Sequence, residues 1–437
     1  MITLREIDLY RESIMDRLVI RGPAKLSGKV SISGAKNAAL PILFATLLNP
    51  GKSVISNVPQ LRDIATTIKL LEILGAKVTL IDSHSYEIDS SNIDQFEATY
   101  ELVKTMRASI LTLGPLLARF GKAKVSLPGG CAIGARPIDI HLKAMEELGA
   151  KIELKSGYVE ASAPDGLKGT DLTLSFPSVG ATENIMMAAA YAEGKTIIRN
   201  AAREPEINNL ADYLNKLGVE VIGAGTATIE LIPSGKFMDC SHTVMPDRIE
   251  AATFIIAAIM TQSQITVENM NSNDIRSVLD HLKNMGANLK ISSHCVEVLE
   301  HEKILGAQID TAPYPGFPTD VQAQMMALCM CADTPSIISE NIFENRFMHV
   351  PELQRMGGAI TLKGNTAIIS PSEQLTSAPV MCTDLRASAS LVLAALVAEG
   401  ETHVQRIYHL DRGYEAIENK LRALGVDISR TNPGDYL

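Results

Sequence analysis

One short pattern that recurs six times constrains the fold of this chain more than any other feature. In each copy an amphipathic helix ends in Leu or Met, a glycine follows, and an alternating strand comes next. Glycine is favoured just after a helix because it adopts positive φ without steric cost. Successive glycines are separated by 68 to 74 residues, and they are Gly75, Gly149, Gly218, Gly286, Gly357 and Gly425. So steady a period predicts an internal repeat.

A second helix, rich in small apolar residues, precedes each of these glycines. Examples are 251–260 and 387–398, and a short strand such as 195–199 follows. Because such helices are apolar on most sides, we expect them to be buried. Each unit is therefore predicted as helix, strand, helix, strand and a further strand, which gives an α/β fold.

Six units divide naturally into two domains of three, and 437 residues exceed what one hydrophobic core usually serves. We predict residues 1–14 to be an N-terminal extension. Residues 15–35 and 246–437 are predicted to form one discontinuous domain, in which the N-terminal strand completes units four to six. Residues 36–245 are predicted to form the second domain, with units one to three.

The composition excludes several classes of function. A net charge of −10 argues against non-specific binding to nucleic acid or to an anionic membrane, and tryptophan is absent. No apolar run reaches membrane-spanning length. The six cysteines show neither a CxxC nor a zinc-type spacing, so we expect a reduced, cytoplasmic protein without a metal site.

Cations recur at the predicted N-termini of the buried helices. The equivalent place, 35 to 42 residues before each glycine, holds Lys36, Arg107, Glu183, Arg248, Asp320 and Arg386. A cation there is unfavourable by about 0.3 to 1 kcal/mol, because the helix N-terminus carries partial positive charge. Each cation could pair with a nearby carboxylate, such as Asp247 or Asp384. Four at equivalent positions favour a shared polyanionic ligand.

The two acidic exceptions are expected to differ in role. For Glu183 we predict ordinary helix capping. Asp320 follows the turn 314–319, which could aim its carboxylate into a cleft as a general base. Arg346 and Arg412 lie in turn-like segments that would leave each guanidinium free to move with a loop, and a solvated surface arginine is the alternative for each.

The glycine-rich segment 127–137 contains a cysteine, Cys131. Arg136 lies five residues later, and a nearby cation favours the reactive thiolate and can hold an anionic substrate. The alternative is a tight turn in which the cysteine only fills space.

Several of these segments resemble one enzyme family, the UDP-N-acetylglucosamine enolpyruvyl transferases, which are 1-carboxyvinyltransferases that open bacterial peptidoglycan synthesis. The matching segments, from about Met15 to the C-terminus, are 33–41, 128–131, 134–137, 178–182, 202–206, 317–320, 344–347, 384–386 and 411–414. The resemblance implies two inside-out α/β barrel domains. Each would be built from three βαβαββ-type units, with buried helices pointing their N-termini at an interdomain active-site cleft.

The resemblance also implies a role for individual residues. Those expected to bind phosphoenolpyruvate are Lys36, Asn37, Arg136, Arg346, Arg386 and Arg412. Those expected to bind the UDP-sugar are Asn37, Arg107, Arg136, Pro137, Ile138, Asp139, Ile140, Ser178, Val179, Gly180, Asp320 and Ile342. The residues expected to be catalytic are Cys131, Asp320, Lys36 and Arg412. Some members carry a lysine where this chain has Phe176, so one diphosphate contact is not accounted for.

The implied reaction is addition followed by elimination, without metal or cofactor. Cys131 would protonate the methylene carbon of phosphoenolpyruvate or form a covalent adduct with it, and the resemblance leaves both roles open. Asp320 would accept the proton of the sugar 3-hydroxyl. The alternatives are 5-enolpyruvylshikimate-3-phosphate synthase, which lacks the Pro-Gly-Gly-Cys loop, and a catalytically silent protein that binds the nucleotide-sugar.

Overall fold

Six four-stranded sheets and a set of mostly buried helices make up the part of the chain that the structure describes. The structure is a computed structural model, and it describes residues 16–103, 106–127 and 138–431. These residues divide into two compact units. One comprises 16–32 and 247–431, and the other comprises the described residues of 33–246.

The strands are short and evenly distributed along the chain. They are β1 Arg17–Gly22, β2 Ser27–Ser31, β3 Lys52–Ser56, β4 Lys77–Asp82, β5 Ser85–Asp89, β6 Glu97–Ala98, β7 Lys122–Ser126, β8 Lys151–Lys155, β9 Tyr158–Ser162, β10 Asp171–Thr173, β11 Thr196–Arg199, β12 Val219–Ile222, β13 Thr228–Pro233, β14 Cys240–Thr243, β15 Gln264–Glu268, β16 Leu289–Ile291, β17 Cys295–Val298, β18 Gln308–Asp310, β19 Ser336–Ser339, β20 Ala359–Lys363, β21 Thr366–Ser370, β22 Pro379–Met381, β23 Gly400–Gln405 and β24 Asp427–Thr431.

The helices alternate with these strands. The α-helices are α1 Lys36–Ala45, α2 Arg62–Ile73, α3 Tyr100–Val103, α4 Leu113–Phe120, α5 Asp139–Glu147, α6 Val179–Ala189, α7 Pro205–Leu217, α8 Arg248–Met260, α9 Arg276–Asn284, α10 Gln322–Met330, α11 Val350–Arg355, α12 Leu385–Val397 and α13 Ile417–Ala423. The 3-10 helices are Thr46–Leu48, Arg107–Thr112, Ser272–Ile275, Thr319–Val321 and Ile407–Arg412. Among the helices described, none has the length and apolar character needed to cross a membrane.

All six sheets share one topology, which confirms the predicted repeat. In β10-β11-β13-β12, the first pair is parallel and the next two pairs are antiparallel. The same order of parallel and antiparallel pairs recurs in the other five sheets. Each repeat therefore contributes at least three of the four strands of one sheet.

Strands distant in sequence complete three of the sheets. The N-terminal β1 lies between β23 and β24, and β2 pairs with β15. In the unit formed by 33–246, the last strand β14 pairs with the first strand β3. The N-terminal strands thus belong to the unit that contains the C-terminal half of the chain.

The helices rich in small residues are buried, as the sequence predicts. Every residue of α8 and α10 is buried, and α1, α6 and α12 are nearly so. Each unit has its own hydrophobic core around these helices. Because polar side chains are costly in such cores, the charged residues at the helix N-termini need partners there.

The six repeat glycines all have positive φ, between 92° and 109°. This conformation is the one expected of a glycine that ends a helix, and it confirms the interpretation of the repeat.

Candidate active site

Asp320 lies between two arginines in the unit that contains residues 247–431. Arg346 Nη2 donates to Asp320 Oδ1 at 2.8 Å, and Arg386 Nε donates to Asp320 Oδ2 at 3.2 Å. The arginine side chains are only 5% and 3% exposed, whereas the Asp320 side chain is 26% exposed. The carboxylate thus stays accessible while the cations that hold it are buried.

The position of Arg386 follows from the start of helix α12. Asp384 caps this helix by accepting from the backbone N–H groups of Arg386 and Ala387. Burial lowers the pKa of Arg386, but Asp320, Tyr414 and Asp247 together raise it above its usual value. Arg386 is therefore a permanent cation. Its Nη1 atom is buried without a hydrogen-bond partner among the described residues.

Arg346 lies in a turn, as the sequence predicts, but the prediction that its guanidinium moves freely is wrong. Besides its bond to Asp320, Nη1 donates to Thr319 Oγ1 at 3.0 Å. Arg412, the other turn arginine, ends the 3-10 helix Ile407–Arg412 and is partly buried. Ile342 is also partly buried, and its backbone N–H donates to Glu340 Oε1 at 2.9 Å.

A second set of predicted residues lies in the unit formed by 33–246. Lys36 is the first residue of α1, and its Nζ lies 3.4 Å from Asp63 Oδ2. The two side chains are 11% and 6% exposed. Asn37 follows Lys36 and is partly buried. Lys36 and Arg386 therefore both pair with a carboxylate, but the partner of Arg386 is Asp320 and not the neighbouring Asp384.

The predicted placement of cations at helix N-termini is confirmed. Lys36, Arg107 and Arg248 are the first residues of their helices, and Arg386 is the second. Arg248 is 8% exposed, and its guanidinium lies 5.9 Å from the ring centre of Tyr314.

The predicted diphosphate turn forms the N-terminus of α6. Ser178 caps this helix by accepting from the backbone N–H of Ala181, and Val179 and Gly180 are its first two residues. Near by, Ile138 precedes α5, Asp139 is exposed in its first turn, and Ile140 follows. The first backbone N–H groups of a helix have no acceptor within the helix, so they are suited to binding an anion.

The sequence analysis missed His141 and Asn184, which lie beside this turn. A side-chain carbon at Gly180 would lie 3.4 Å from His141 Cε1, so the ring packs against the start of α6. His141 Nδ1 lies 3.2 Å from Asn184 Nδ2. Burial lowers the pKa of His141 to about 4, so the ring is neutral at pH 7. The position of His141 directly after the predicted UDP-sugar-binding residues 136–140 was the available signal.

The prediction that Glu183 caps its helix is wrong, because Ser178 has that role. Glu183 lies inside α6 and is 3% exposed. Burial, followed by the charges of Glu206 and Glu204, raises its pKa well above the usual value. Its Oε1 atom has no hydrogen-bond partner among the described residues.

Three predicted site residues, Cys131, Arg136 and Pro137, lie outside the described residues. Within the part of the chain that the structure describes, no group of three or more His, Cys, Asp or Glu residues could hold a metal ion.

Comparison with known proteins gives one consistent family. Residues 20–421 match the family described as EPSP synthase (3-phosphoshikimate 1-carboxyvinyltransferase). A UDP-N-acetylglucosamine 1-carboxyvinyltransferase of Geotalea uraniireducens is 57% identical over 416 residues, which cover 95% of this chain and 99% of the relative. The protein with the same name from Coxiella burnetii is 52% identical over 423 residues, covering 97% and 98%.

Two solved structures show the same fold. The enolpyruvyl transferase NikO from Streptomyces tendae superposes with a TM-score of 0.86 at 24% identity, covering 95% of this chain and 99% of NikO. An EPSP synthase from Acinetobacter baumannii gives a TM-score of 0.75 at 17% identity, covering 95% and 100%. The predicted α/β fold of enolpyruvyl transferases is thereby confirmed. The chain belongs to the EPSP synthase family and, within it, to the UDP-N-acetylglucosamine 1-carboxyvinyltransferases.

Proposed function

We propose that the protein transfers the enolpyruvyl group of phosphoenolpyruvate to the 3-hydroxyl of UDP-N-acetylglucosamine and releases phosphate. The structural observation that carries this proposal is the accessible Asp320 carboxylate between buried Arg346 and Arg386. This reaction needs a base that accepts the proton of a hydroxyl group, and it needs cations that bind an anionic co-substrate. The names of the relatives supply the acceptor.

Asp320 is the proposed general base. Two guanidinium groups stabilise its ionised form, which is the form that accepts a proton. The attacking 3-hydroxyl must come within about 3 Å of a carboxylate oxygen. We propose that Asn37 contacts the same hydroxyl groups of the sugar.

Cys131 is the proposed acid. It donates its proton to the methylene carbon of phosphoenolpyruvate, and the sugar oxygen then bonds to the neighbouring carbon, which has gained oxocarbenium character. Phosphate then leaves, and one proton of the methyl group that protonation formed returns to the Cys131 thiolate, which gives the enol ether. A covalent bond between the Cys131 sulfur and phosphoenolpyruvate is the other proposed role. Cations offset the negative charge of the substrate throughout. They are Lys36, Arg136, Arg346, Arg386 and Arg412.

The UDP part is proposed to bind at the start of α6 and on the segment from Arg136 to Ile140. Ser178, Val179 and Gly180 would face the diphosphate, since helix N–H groups stabilise anions. Arg107 would supply a cation, and Ile342 would contact the nucleotide-sugar. Phe176, which is exposed, stands where some members carry lysine, and its uncharged ring supplies no cation to this site.

Phosphate release with each candidate acceptor tests the proposal. Phosphoenolpyruvate with UDP-N-acetylglucosamine should yield phosphate, and phosphoenolpyruvate with shikimate 3-phosphate should not. The opposite result would assign the protein to the shikimate branch. Binding of the UDP-sugar by calorimetry without phosphate release would instead indicate a silent binding protein.

Two cysteine variants test the role of Cys131. Cys131→Ser should abolish turnover, whereas Cys240→Ser, at a half-buried cysteine, should retain it. Incubation with the epoxide fosfomycin and the UDP-sugar should add mass to the wild type and to Cys240→Ser only.

Such an enzyme would catalyse the first committed step of peptidoglycan synthesis, in the cytoplasm, and so would support cell shape and division.

A further inference from the structure

A buried carboxylate, Glu340, lies behind the arrangement of Asp320 and its arginines. Glu340 directly follows β19 and is 3% exposed. Its Oε1 atom accepts from Ile342 N at 2.9 Å, from Phe343 N at 3.1 Å and from Thr311 Oγ1 at 3.0 Å. Its Oε2 atom accepts from Thr319 Oγ1 at 2.8 Å. One carboxylate thus connects two separate segments of the site.

The bond to Thr319 fixes the direction of a chain of hydrogen bonds. Because an ionised carboxylate can only accept, the Thr319 hydroxyl must donate to Glu340. Its lone pairs are then directed to Arg346, whose Nη1 donates to Thr319 Oγ1 at 3.0 Å. The other arm of the same guanidinium donates to Asp320 at 2.8 Å. Glu340 therefore determines which way Thr319 points, and Thr319 helps to orient Arg346.

The charges of this group balance. Glu340 and Asp320 carry two negative charges, Arg346 and Arg386 carry two positive charges, and three of the four side chains are nearly inaccessible to water. Removal of the Glu340 charge would leave an excess positive charge beside Asp320, in a region where little water can screen it.

We propose that Glu340 is a positioning residue, which acts through Thr319 and Arg346 to hold Asp320 in the orientation needed to accept the proton of the substrate hydroxyl. This inference rests on the proposed function, because it takes Asp320 as the base. Glu340 itself makes no contact with the substrate in this proposal. A purely structural role, in which Glu340 only supports the turn at 341–343, is the reading that the experiment must separate from it.

Glu340→Gln distinguishes the two roles because it changes the hydrogen bond to Thr319 and keeps those at the turn 341–343. The amide oxygen can still accept from Ile342, Phe343 and Thr311, so the turn is retained. The amide NH₂ then faces Thr319, so the hydroxyl can no longer donate to this side chain. We expect kcat for phosphate release to fall on the order of 10-fold to 100-fold, because small misplacement of a catalytic group has effects of this size. The Kd of the UDP-sugar by calorimetry should change less than about threefold.

A control variant shows what the loss of a buried charge does elsewhere in the same unit. Glu418 is 8% exposed and its Oε1 lies 2.9 Å from Arg430 Nε. Glu418→Gln should lower Tm but change kcat less than about twofold. If Glu340→Gln has wild-type kcat, or if its kcat falls no more than that of Glu418→Gln at an equal loss of Tm, the proposal is wrong.

Substitutions of Thr319 test the same hydrogen bond from the Thr319 side. Thr319→Val, which has no hydroxyl, should reproduce the loss of kcat, and Thr319→Ser should restore most of it. The double variant Glu340→Gln/Thr319→Val should be no slower than either single variant, because both remove one interaction. Fully additive losses would contradict the proposal even if Glu340→Gln alone folds poorly. Absence of phosphate release from the wild type would instead refute the proposed function.

Discussion

At the scale of single residues, the sequence predicted where charges lie but not which groups they contact. The repeat placed Lys36 and Arg386 at helix N-termini because the pattern is local. Their partners are distant in sequence: Asp63 is 27 residues from Lys36, and Asp320 is 66 residues from Arg386. A local pattern carries no information about such pairs. For the same reason Arg346 was wrongly expected to be mobile, and Glu340 was not identified.

The first prediction concerns the carboxylate between the two arginines. Asp320→Asn removes the counter-charge of two guanidiniums that are 5% and 3% exposed. We expect the free energy of unfolding to fall by about 3 kcal/mol, since breaking a buried ion pair leaves uncompensated charge. Turnover should fall by at least about 100-fold, because the amide cannot accept the proton. Urea denaturation and the phosphate assay measure the two effects.

A surface pair provides the control for this variant. Asp171 and Arg199 form an ion pair of 2.7 Å with side chains about half exposed, at 49% and 50%. Asp171→Asn should leave stability almost unchanged, because solvent screens such pairs. Equal losses of stability for the two variants would show that Asp320 is not held in a buried arrangement.

At the scale of elements, the sequence was informative wherever one residue determines how an element ends. The repeat glycines were predicted to end helices, and all six have the positive φ that this position requires. Helix α6 was different. Its cap was assigned to Glu183, whereas Ser178 makes the capping bond and Glu183 is buried one turn later. Offsets along a repeat locate a helix terminus only to within a turn, so they could not distinguish a cap from a core residue.

The second prediction compares two of these glycines within one unit. An added Cβ at Gly149 would meet nothing within 4 Å, whereas at Gly218 it would lie 2.5 Å from the backbone oxygen of Lys236. Gly149→Ala should therefore cost about 1 kcal/mol of unfolding free energy, from the left-handed conformation alone. Gly218→Ala should cost clearly more because of the added steric overlap. Equal midpoints in urea for the two variants would contradict this account.

The third prediction concerns Glu183 within α6. Because burial raises the pKa of Glu183 in the folded state, the group stabilises the fold below its unfolded pKa, and that stability is lost as pH rises through the folded pKa. Glu183→Gln does not titrate. It should therefore gain stability relative to wild type as pH rises from 5 to 8. Glu193→Gln, at an exposed site, should show no such trend. A pH-independent difference for Glu183→Gln would refute the prediction.

At the scale of the whole molecule, the number of repeats could be read from the sequence, but the pairing that closes each unit could not. Regular spacing predicts six similar sheets, which the structure confirms. The position of β1 between β23 and β24 joins residues about 400 apart, such as Leu18 and Val404. No periodicity specifies a contact of that kind. The prediction that the N-terminal strand completes units four to six did not specify its neighbours, β23 and β24.

The fourth prediction is that acid destabilises the protein well above the pH at which carboxylates are protonated. Burial lowers the pKa of His141, His242 and His349 to about 4. The unfolded chain binds a proton at each histidine near pH 6.5, whereas the folded protein does not. The contribution of these neutral histidines to the free energy of unfolding is therefore complete above about pH 6.5, and it is lost as pH falls toward 4. Between pH 7 and 5, each fully buried histidine should lower the free energy of unfolding by about 2 kcal/mol.

His349 allows this effect to be assigned to one side chain. Both of its ring nitrogens are buried without hydrogen-bond partners among the described residues, and Arg346 adds to the effect of burial while Asp384 opposes it. His349→Leu removes the titration and leaves no polar atom unpaired. It should therefore lose about 2 kcal/mol less than wild type between pH 7 and 5 in urea denaturation. His294→Leu, at an exposed histidine, should follow the wild-type curve. If His349→Leu also follows that curve, the His349 ring must be protonated in the folded protein at pH 5, and Asp384 must then outweigh both burial and Arg346.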